Sequence, residues 1–181
     1  MKNKILLQGK FILVHFVNLV YNLIPFFFLR KFFLSVIGIQ LGNKSCIHRG
    51  VKLFHIGNLV IGNNSVINFN CFIDNRRKVE IGNNVSISHN TKIYTLGHSI
   101  NSSDFCTQGK PVKIEDYVSI FANVLIMPGV TIGYGAVVLP GSVVTKSIGE
   151  MDVVGGNPAK FVKKRISTLE YKIDYDYWFA L

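Results

Sequence analysis

Acidic residues are scarce in this chain: 10 Asp and Glu stand against 20 Lys and Arg in 181 residues. Such an excess suits a polyanionic ligand, an anionic membrane surface or nucleic acid. Nucleic acid is the weakest of the three, because no nucleic-acid motif is present and the aromatics are not interleaved with the basic residues. Cysteine is scarce too. Cys46, Cys71 and Cys106 have neither metal-ligand spacing nor an even pairing, which favours a reduced compartment. Cys46 and Cys71 read as core or wall residues. A small-residue cleavage pattern after the first apolar run is also missing, which argues against a cleaved signal peptide.

What the chain has is a beat of six. Ile61, Ile67 and Ile73 fall six apart, as do Ile81, Ile87 and Ile93, and then Ile114, Ile120, Ile126, Ile132, Val138 and Val144. That period is neither the 3.6 of a helix nor the alternation of a strand. It predicts short flat segments joined by tight corners and stacked as a solenoid. Gly62, Gly82 and Gly133 follow anchors, where a corner is expected to need backbone freedom. The fourth residue after an anchor is small or β-branched, as at Ser65, Val85, Val118 and Ala136. Two inward positions per hexad would fill a narrow triangular interior.

The beat fails twice, and breaks in a repeat often mark function. Two residues are inserted between Ile73 and Ile81, around residues 74–78. Between Ile93 and Ile114, residues 97–109 lack anchors and read as a polar loop thrown out from the wall. His98 stands where that loop leaves.

The first 37 residues differ from the rest. Residues 11–29 carry no formal charge, and their apolar content approaches a membrane span. Yet His15, Asn18, Asn22 and Pro25 are spaced to line one helix face, extended by Lys4 and Gln8. Pro25 breaks the helix, and a second apolar segment runs to about Ile37. Three readings stay open: a single span, a helical pair packed on the solenoid or another subunit, and a hairpin lying in the membrane interface. The last is preferred, with Lys2, Lys4, Lys10, Arg30 and Lys31 facing lipid headgroups.

Pro128-Gly129-Val130-Thr131-Ile132-Gly133, Gly141-Ser142-Val143-Val144-Thr145-Lys146 and Gly156-Asn157-Pro158-Ala159-Lys160 carry a resemblance. Residues 41–166 resemble the left-handed β-helix of hexapeptide-repeat acyltransferases. The resemblance implies a mainly β chain built on a single left-handed parallel β-helix at 39–160 with a loop at 97–111; the apolar helical segment at 1–38 and a short helical and aromatic tail at 161–181 flank it. That tail, with Tyr171, Tyr175, Tyr177, Trp178 and Phe179, would pack on a neighbour, cover the groove or touch membrane. The resemblance also implies a homotrimer with its sites between subunits.

Thr95-Leu96-Gly97-His98 before the loop and Lys110-Pro111-Val112-Lys113-Ile114 after it resemble the sugar O-acetyltransferase branch, meaning galactoside, maltose and colanic-acid-type enzymes. In that branch this histidine is the catalytic base. His98 would take the proton of a sugar hydroxyl as it attacks the thioester of acetyl-CoA. Backbone N–H groups would stabilise the oxyanion, and no metal is needed. Zinc enzymes on this fold use two histidines five residues apart, a pair this sequence lacks.

Asn68 matches an acceptor-site segment of the branch, and His89 lies on the coil of His98. Asp74 and Asp104 would contact the sugar or orient His98; the bland reading of such residues is corner hydrogen bonding. His48 and His55 read as structural. The donor is expected beside Ser119, Ala122, Gly141 and Ser142. Its phosphates would lie near Thr145 and Lys146, with Lys160, Lys163, Lys164 and Arg165 beyond. Ser119 replaces a common Trp, and Pro140 replaces a common Ala or Gly and has no N–H to offer. The expected function is O-acetylation of a surface-polysaccharide precursor by a cytoplasmic enzyme, peripheral on the inner face of the membrane. The alternatives are N-acetylation of an amino sugar and a non-catalytic scaffold.

Overall fold

Each hexad forms one short strand and one corner, so three hexads complete a coil. The computed structural model describes residues 2–175 and Phe179, without the side chains of Lys2 and Asn3. The expectations for Lys2, Tyr177 and Trp178 lie outside the described residues. All three wall faces are parallel ladders. The first runs from Gln40–Leu41 through Leu59–Ile61, Val79–Ile81 and Val112–Ile114 to Thr131–Ile132. The second runs from Cys46–Ile47 through Val66–Ile67, Ser86–Ile87 and Ser119–Ile120 to Val137–Val138. The third runs from Lys52–Leu53 through Phe72–Ile73, Lys92–Ile93 and Leu125–Ile126 to Val143–Val144. The anchors stack in register: Ile67 pairs with Ile87, Ile87 with Ile120, and Ile120 with Val138, all buried.

Corners explain the recurring Asn and Gly. The turn residue between the first and second faces is left-handed in every coil, at Lys44 (φ 54), Asn64 (φ 56), Asn84 (φ 54), Tyr117 (φ 59) and Gly135 (φ 65). Asn and Gly reach that region at the least steric cost. The glycines after the anchors serve another purpose. A Cβ on Gly62 would lie 2.7 Å from the Gly82 backbone, and one on Gly133 would lie 2.8 Å from the Glu150 nitrogen. They let successive coils approach to strand spacing; freedom of φ is not what they supply.

The first break in the beat is a structural clip. Asn75 is buried and folds back onto the first coil. Its side chain accepts the N–H of Phe54 (3.1 Å) and of His55 (2.8 Å) and donates to the carbonyls of His55 (2.8 Å) and Gly57 (2.6 Å). Asp74 is equally buried, and both its oxygens are taken by Arg76 at 2.8 Å. Burial pushes the Asp74 carboxyl up, but the bonds from Arg76 outweigh it and hold the group below its ordinary value. The stability it contributes is therefore present at neutral pH and fades as pH falls through that lowered value. A buried, fully engaged carboxylate has nothing to offer a sugar, so the acceptor role expected for Asp74 is withdrawn.

Two helices, α1 (Lys2–Leu23) and α2 (Phe27–Val36), close the open end of the first coil. Pro25 sits between them, where the chain turns. The first coil presents unpaired backbone groups, as any sheet edge does. Asn18 meets them, accepting the Leu53 N–H and donating to the Leu53 carbonyl, both at 2.8 Å. Asn22 accepts the Gly50 N–H at 2.7 Å, and the Tyr21 hydroxyl donates to the Ile47 carbonyl. Tyr21 and Leu34 join the same buried cluster as the solenoid anchors. The Asn18 and Asn22 end of the polar stripe on α1 thus faces the solenoid, while Lys4, Gln8 and His15 are exposed together with the apolar side. Arg30 does not reach headgroups. It is buried, its Nε donates to Ile24 at 2.7 Å, and its guanidinium lies 5.2 Å from the Tyr21 ring centre.

The C-terminal segment forms no helix among the described residues. Asp152–Gly155 extends the second face, and Lys160–Lys164 folds back antiparallel upon it, covering the last edge. Beyond, an irregular strap descends the outside of the solenoid. Leu169 is buried, Tyr171 meets Tyr117 edge-on at 5.4 Å, and the Ile173 N–H reaches Asn84 at 3.3 Å. Asp174 pairs with Lys44 at 2.7 Å, and the Phe179 ring meets Phe26 at 6.2 Å. Among the described residues the aromatic tail therefore packs on its own chain.

Candidate active site

The second break is a hairpin rather than a loop: Leu96–His98 pairs antiparallel with Thr107–Gly109, with His98 opposite Thr107. His98 Nδ1 lies 2.9 Å from the carbonyl oxygen of Phe105. A carbonyl only accepts, so Nδ1 carries the proton and Nε2 keeps a free lone pair. The imidazole also stacks on the Phe105 ring, with centroids 4.5 Å apart and planes within 3°. Phe105 itself is held at φ 49, a left-handed setting unusual for an aromatic residue. One residue thus fixes both the tautomer and the plane of the imidazole.

Asp104 plays a different part. Its carboxylate accepts from the Ser102 hydroxyl and from the Cys106 N–H (3.2 Å), and the Ser102 bond foremost holds it below its ordinary value. It braces the hairpin tip and is not the partner of His98. Neither aspartate orients the histidine; a backbone carbonyl does, and sequence carries no mark for that. With His98 as the base, Phe105 would act through it as a positioning residue. Phe105→Ala, which keeps the carbonyl but removes the stacked ring, is expected to lower kcat roughly 10-fold with little change in KM, as modest misplacement does. Phe105→Tyr should restore the rate. Equal kcat for Phe105→Ala and wild type would show that the ring is idle.

A cleft of about 530 Å³ opens beside His98, lined by Gly97, Gln108, Gly109, Lys110, Met127 and Pro128. Lys110 and Met127 were missed in the sequence. Counting hexads places Met127 at the His98 corner, one coil above Tyr94, and that signal was available. No cysteine is poised as a nucleophile in the wall: burial pushes the Cys46 thiol up to about 12 and that of Cys71 to about 11.

Asn68 and His89 come together at another corner. The Asn68 amide donates to the Ile87 carbonyl at 3.0 Å, and the Phe69 and His89 rings stack at 5.1 Å. This corner joins the second and third faces, whereas His98 leaves from the corner joining the third and first. One face of six extended residues separates them, roughly 15–20 Å. The donor residues divide the same way. Ala122 accepts the Gly141 N–H at 2.9 Å on the Asn68 corner. Gly141 is left-handed (φ 69), and a Cβ there would meet nothing within 4 Å, so the corner is open to a ligand. Ser119 is half-buried on the second face. Thr145 and Lys146 are exposed on the His98 corner, and Lys160 and Lys163 on the returning strand.

Three expected donor contacts are not free. Ser142 is buried, its hydroxyl donating to Leu139 at 2.6 Å and accepting the Gly156 N–H at 3.2 Å. Lys164 pairs with Asp152 at 2.6 Å. Arg165 spans coils, donating to the Tyr117 (2.9 Å) and Gly135 (3.0 Å) carbonyls. Among the described residues no three His, Cys, Asp or Glu side chains group as a metal would require.

A parallel three-faced solenoid that throws out a histidine-bearing hairpin over a cleft is the architecture of hexapeptide-repeat acyltransferases. No protein-family model matches the chain. It is 30% identical over 139 residues to WcaF of Escherichia coli K12, a protein named for acetyl transfer in colanic acid biosynthesis, covering 77% of this chain and 76% of that one. It is 43% identical over 110 residues to a Saccharomyces cerevisiae protein named as an acetyltransferase, covering 59% of this chain and 56% of that one, so it spans little more than half that relative's length. A Vibrio cholerae hexapeptide-repeat acetyltransferase solved with acetyl-CoA superposes with a TM-score of 0.82 at 29% identity, over 88% of this chain and 89% of that one. The chain belongs to the hexapeptide-repeat acetyltransferases, in the sugar O-acetyltransferase branch, and its solenoid is their left-handed β-helix of about six turns.

Proposed function

We propose that this chain moves acetyl from acetyl-CoA to a sugar hydroxyl of a surface-polysaccharide precursor, with His98 as general base. The observation that carries the reading is the Nδ1 bond to Phe105, which leaves Nε2 as a proton acceptor beside an open cleft. The acceptor hydroxyl gives its proton to Nε2 while its oxygen attacks the thioester carbonyl. When the tetrahedral adduct collapses, the C–S bond breaks and the imidazolium returns the proton to the departing thiolate. Acetyl-CoA fits the residues present: the open corner at Gly141 accepts the pantetheine arm, and the exposed Lys146, Lys160 and Lys163 suit its phosphates. The polysaccharide choice is supported by the likeness to WcaF.

The working unit in this reading is a homotrimer. Asn68 and Gly141 occupy a different corner from His98 and Lys146, which supports a site built from corners of two chains. The need for acetyl-CoA supports a place on the cytoplasmic side, on the inner face of the membrane. Incubating the protein with labelled acetyl-CoA and a panel of free sugars and amino sugars tests the proposal. Labelled product cleaved by mild alkali is expected. Alkali-stable product would mean an amide and overturn O-acetylation; no transfer to any sugar would favour the scaffold.

A further inference from the structure

The helix pair turns an unpartnered apolar surface away from the solenoid. Ile12, Phe16, Leu19 and Leu23 on α1 and Phe28 and Phe32 on α2 are 46–70% exposed. With their neighbours on the same helices they amount to roughly 10³ Å² of apolar surface, well beyond the few hundred Å² of a monomer's largest patch. By length and composition α1 is able to cross a membrane. Its inward face rules that out here, because Asn18, Tyr21 and Asn22 are bonded to the first coil and lipid cannot surround the helix. It lies flat across the end of the prism.

Charge identifies what covers the patch. No Asp or Glu precedes Asp74, while eight Lys and Arg do; the rest of the chain is nearly balanced. Lys4 and Lys10 are exposed on α1, and Arg49 and Lys52 on the coil just behind it. A second copy seated face to face would bring together two segments that carry no carboxylate of their own, and the strap's Asp174 at this end is already paired with Lys44. An anionic bilayer offers the opposite charge at its surface and an apolar layer beneath it.

We propose that the protein stands on an anionic membrane on the helix-capped end of its solenoid, with α1 and α2 in the interface, and that its acceptor sugar is carried by a lipid of that same membrane. Height decides the second part. His98 leaves the wall after the third coil, two coil steps of about 4.8 Å above the first, and the helix layer adds about 10 Å. The cleft is therefore about 20 Å above the apolar face, level with the first few sugars of a saccharide still on its lipid anchor. This second part rests on the sugar O-acetyltransferase reading; the membrane stance does not.

The test is flotation of the full-length protein with phosphatidylcholine vesicles, with and without phosphatidylglycerol. It should float with the anionic vesicles, stay behind with the neutral ones, and be partly released by salt. The variant Ile12→Ser/Phe16→Ser/Phe32→Ser removes no contact to the solenoid or the strap. It should keep its melting temperature and its transfer to a free sugar, lose at least 10-fold in vesicle binding, and lose transfer to a vesicle-borne glycolipid in parallel. If that variant folds poorly, Lys4→Glu/Lys10→Glu must abolish the preference for anionic vesicles. Wild type that fails to float, or variants that float like wild type, overturn the stance. So does sedimentation showing that the serine variant splits an oligomer without altering flotation, which would make a second copy the occupant. A serine variant that no longer floats yet acetylates the vesicle glycolipid as fast as wild type overturns the lipid-borne acceptor. Absence of transfer to any sugar by wild type would refute the enzyme reading and leave the flotation result standing.

Discussion

Replacing His98 with Ala is expected to cut turnover roughly 10²–10⁴-fold, the range for losing a positioned acid–base group. The side chain is exposed on a hairpin outside the wall, so the solenoid should fold as before. KM for acetyl-CoA should hardly move, because the proton transfer is made only in the transition state. His98→Asn is the sharper variant. Its amide can imitate the bond to Phe105 but cannot take a proton, so it should be as slow as Ala. Steady-state rates with a working acceptor, alongside melting curves, decide the matter. Near-normal turnover in either variant would remove His98 from the chemistry.

The second large effect lies far from the cleft. Asn75→Ala should cost roughly 2–4 kcal/mol, because it strands the His55 N–H and the His55 and Gly57 carbonyls of the first coil at once, while the Phe54 N–H keeps its bond to the Ile73 carbonyl. That is a large part of the 5–15 kcal/mol typical of a whole domain. Urea titration should show a lower midpoint at unchanged slope, the mark of lost stability without a changed unfolded state. Activity per folded molecule should persist. A midpoint within experimental scatter of wild type would mean that water replaces the side chain in full.

These two residues also show what the sequence reveals and what it hides. The hexad anchors were legible because an inward position recurring every six residues follows from local spacing alone. Asn75 was not legible as a clip. An insertion reads the same whether it swings out toward a ligand or folds in upon a neighbouring coil, and only the buried bonds distinguish the two. The stripe on α1 was legible, but not its direction, since an amphipathic pattern does not say which face meets a partner. Lys164 and Arg165 counted as free charge until Asp152 and two carbonyls proved to hold them. The hairpin histidine stood out through its place in the repeat, whereas its partner is a main-chain oxygen that any residue could supply.

The C-terminal strap alters how the chain should come apart. In a simple solenoid each repeat touches only its neighbours, so the array can fray from an end, one unit at a time. Here Leu169, Tyr171, Ile173, Asp174 and Phe179 bind successively farther down, from the upper coils to the helix cap. A coil near either terminus therefore cannot detach without also releasing contacts made several coils away. The strap ties a nearest-neighbour array into a closed circuit, and such a circuit melts as one cooperative unit.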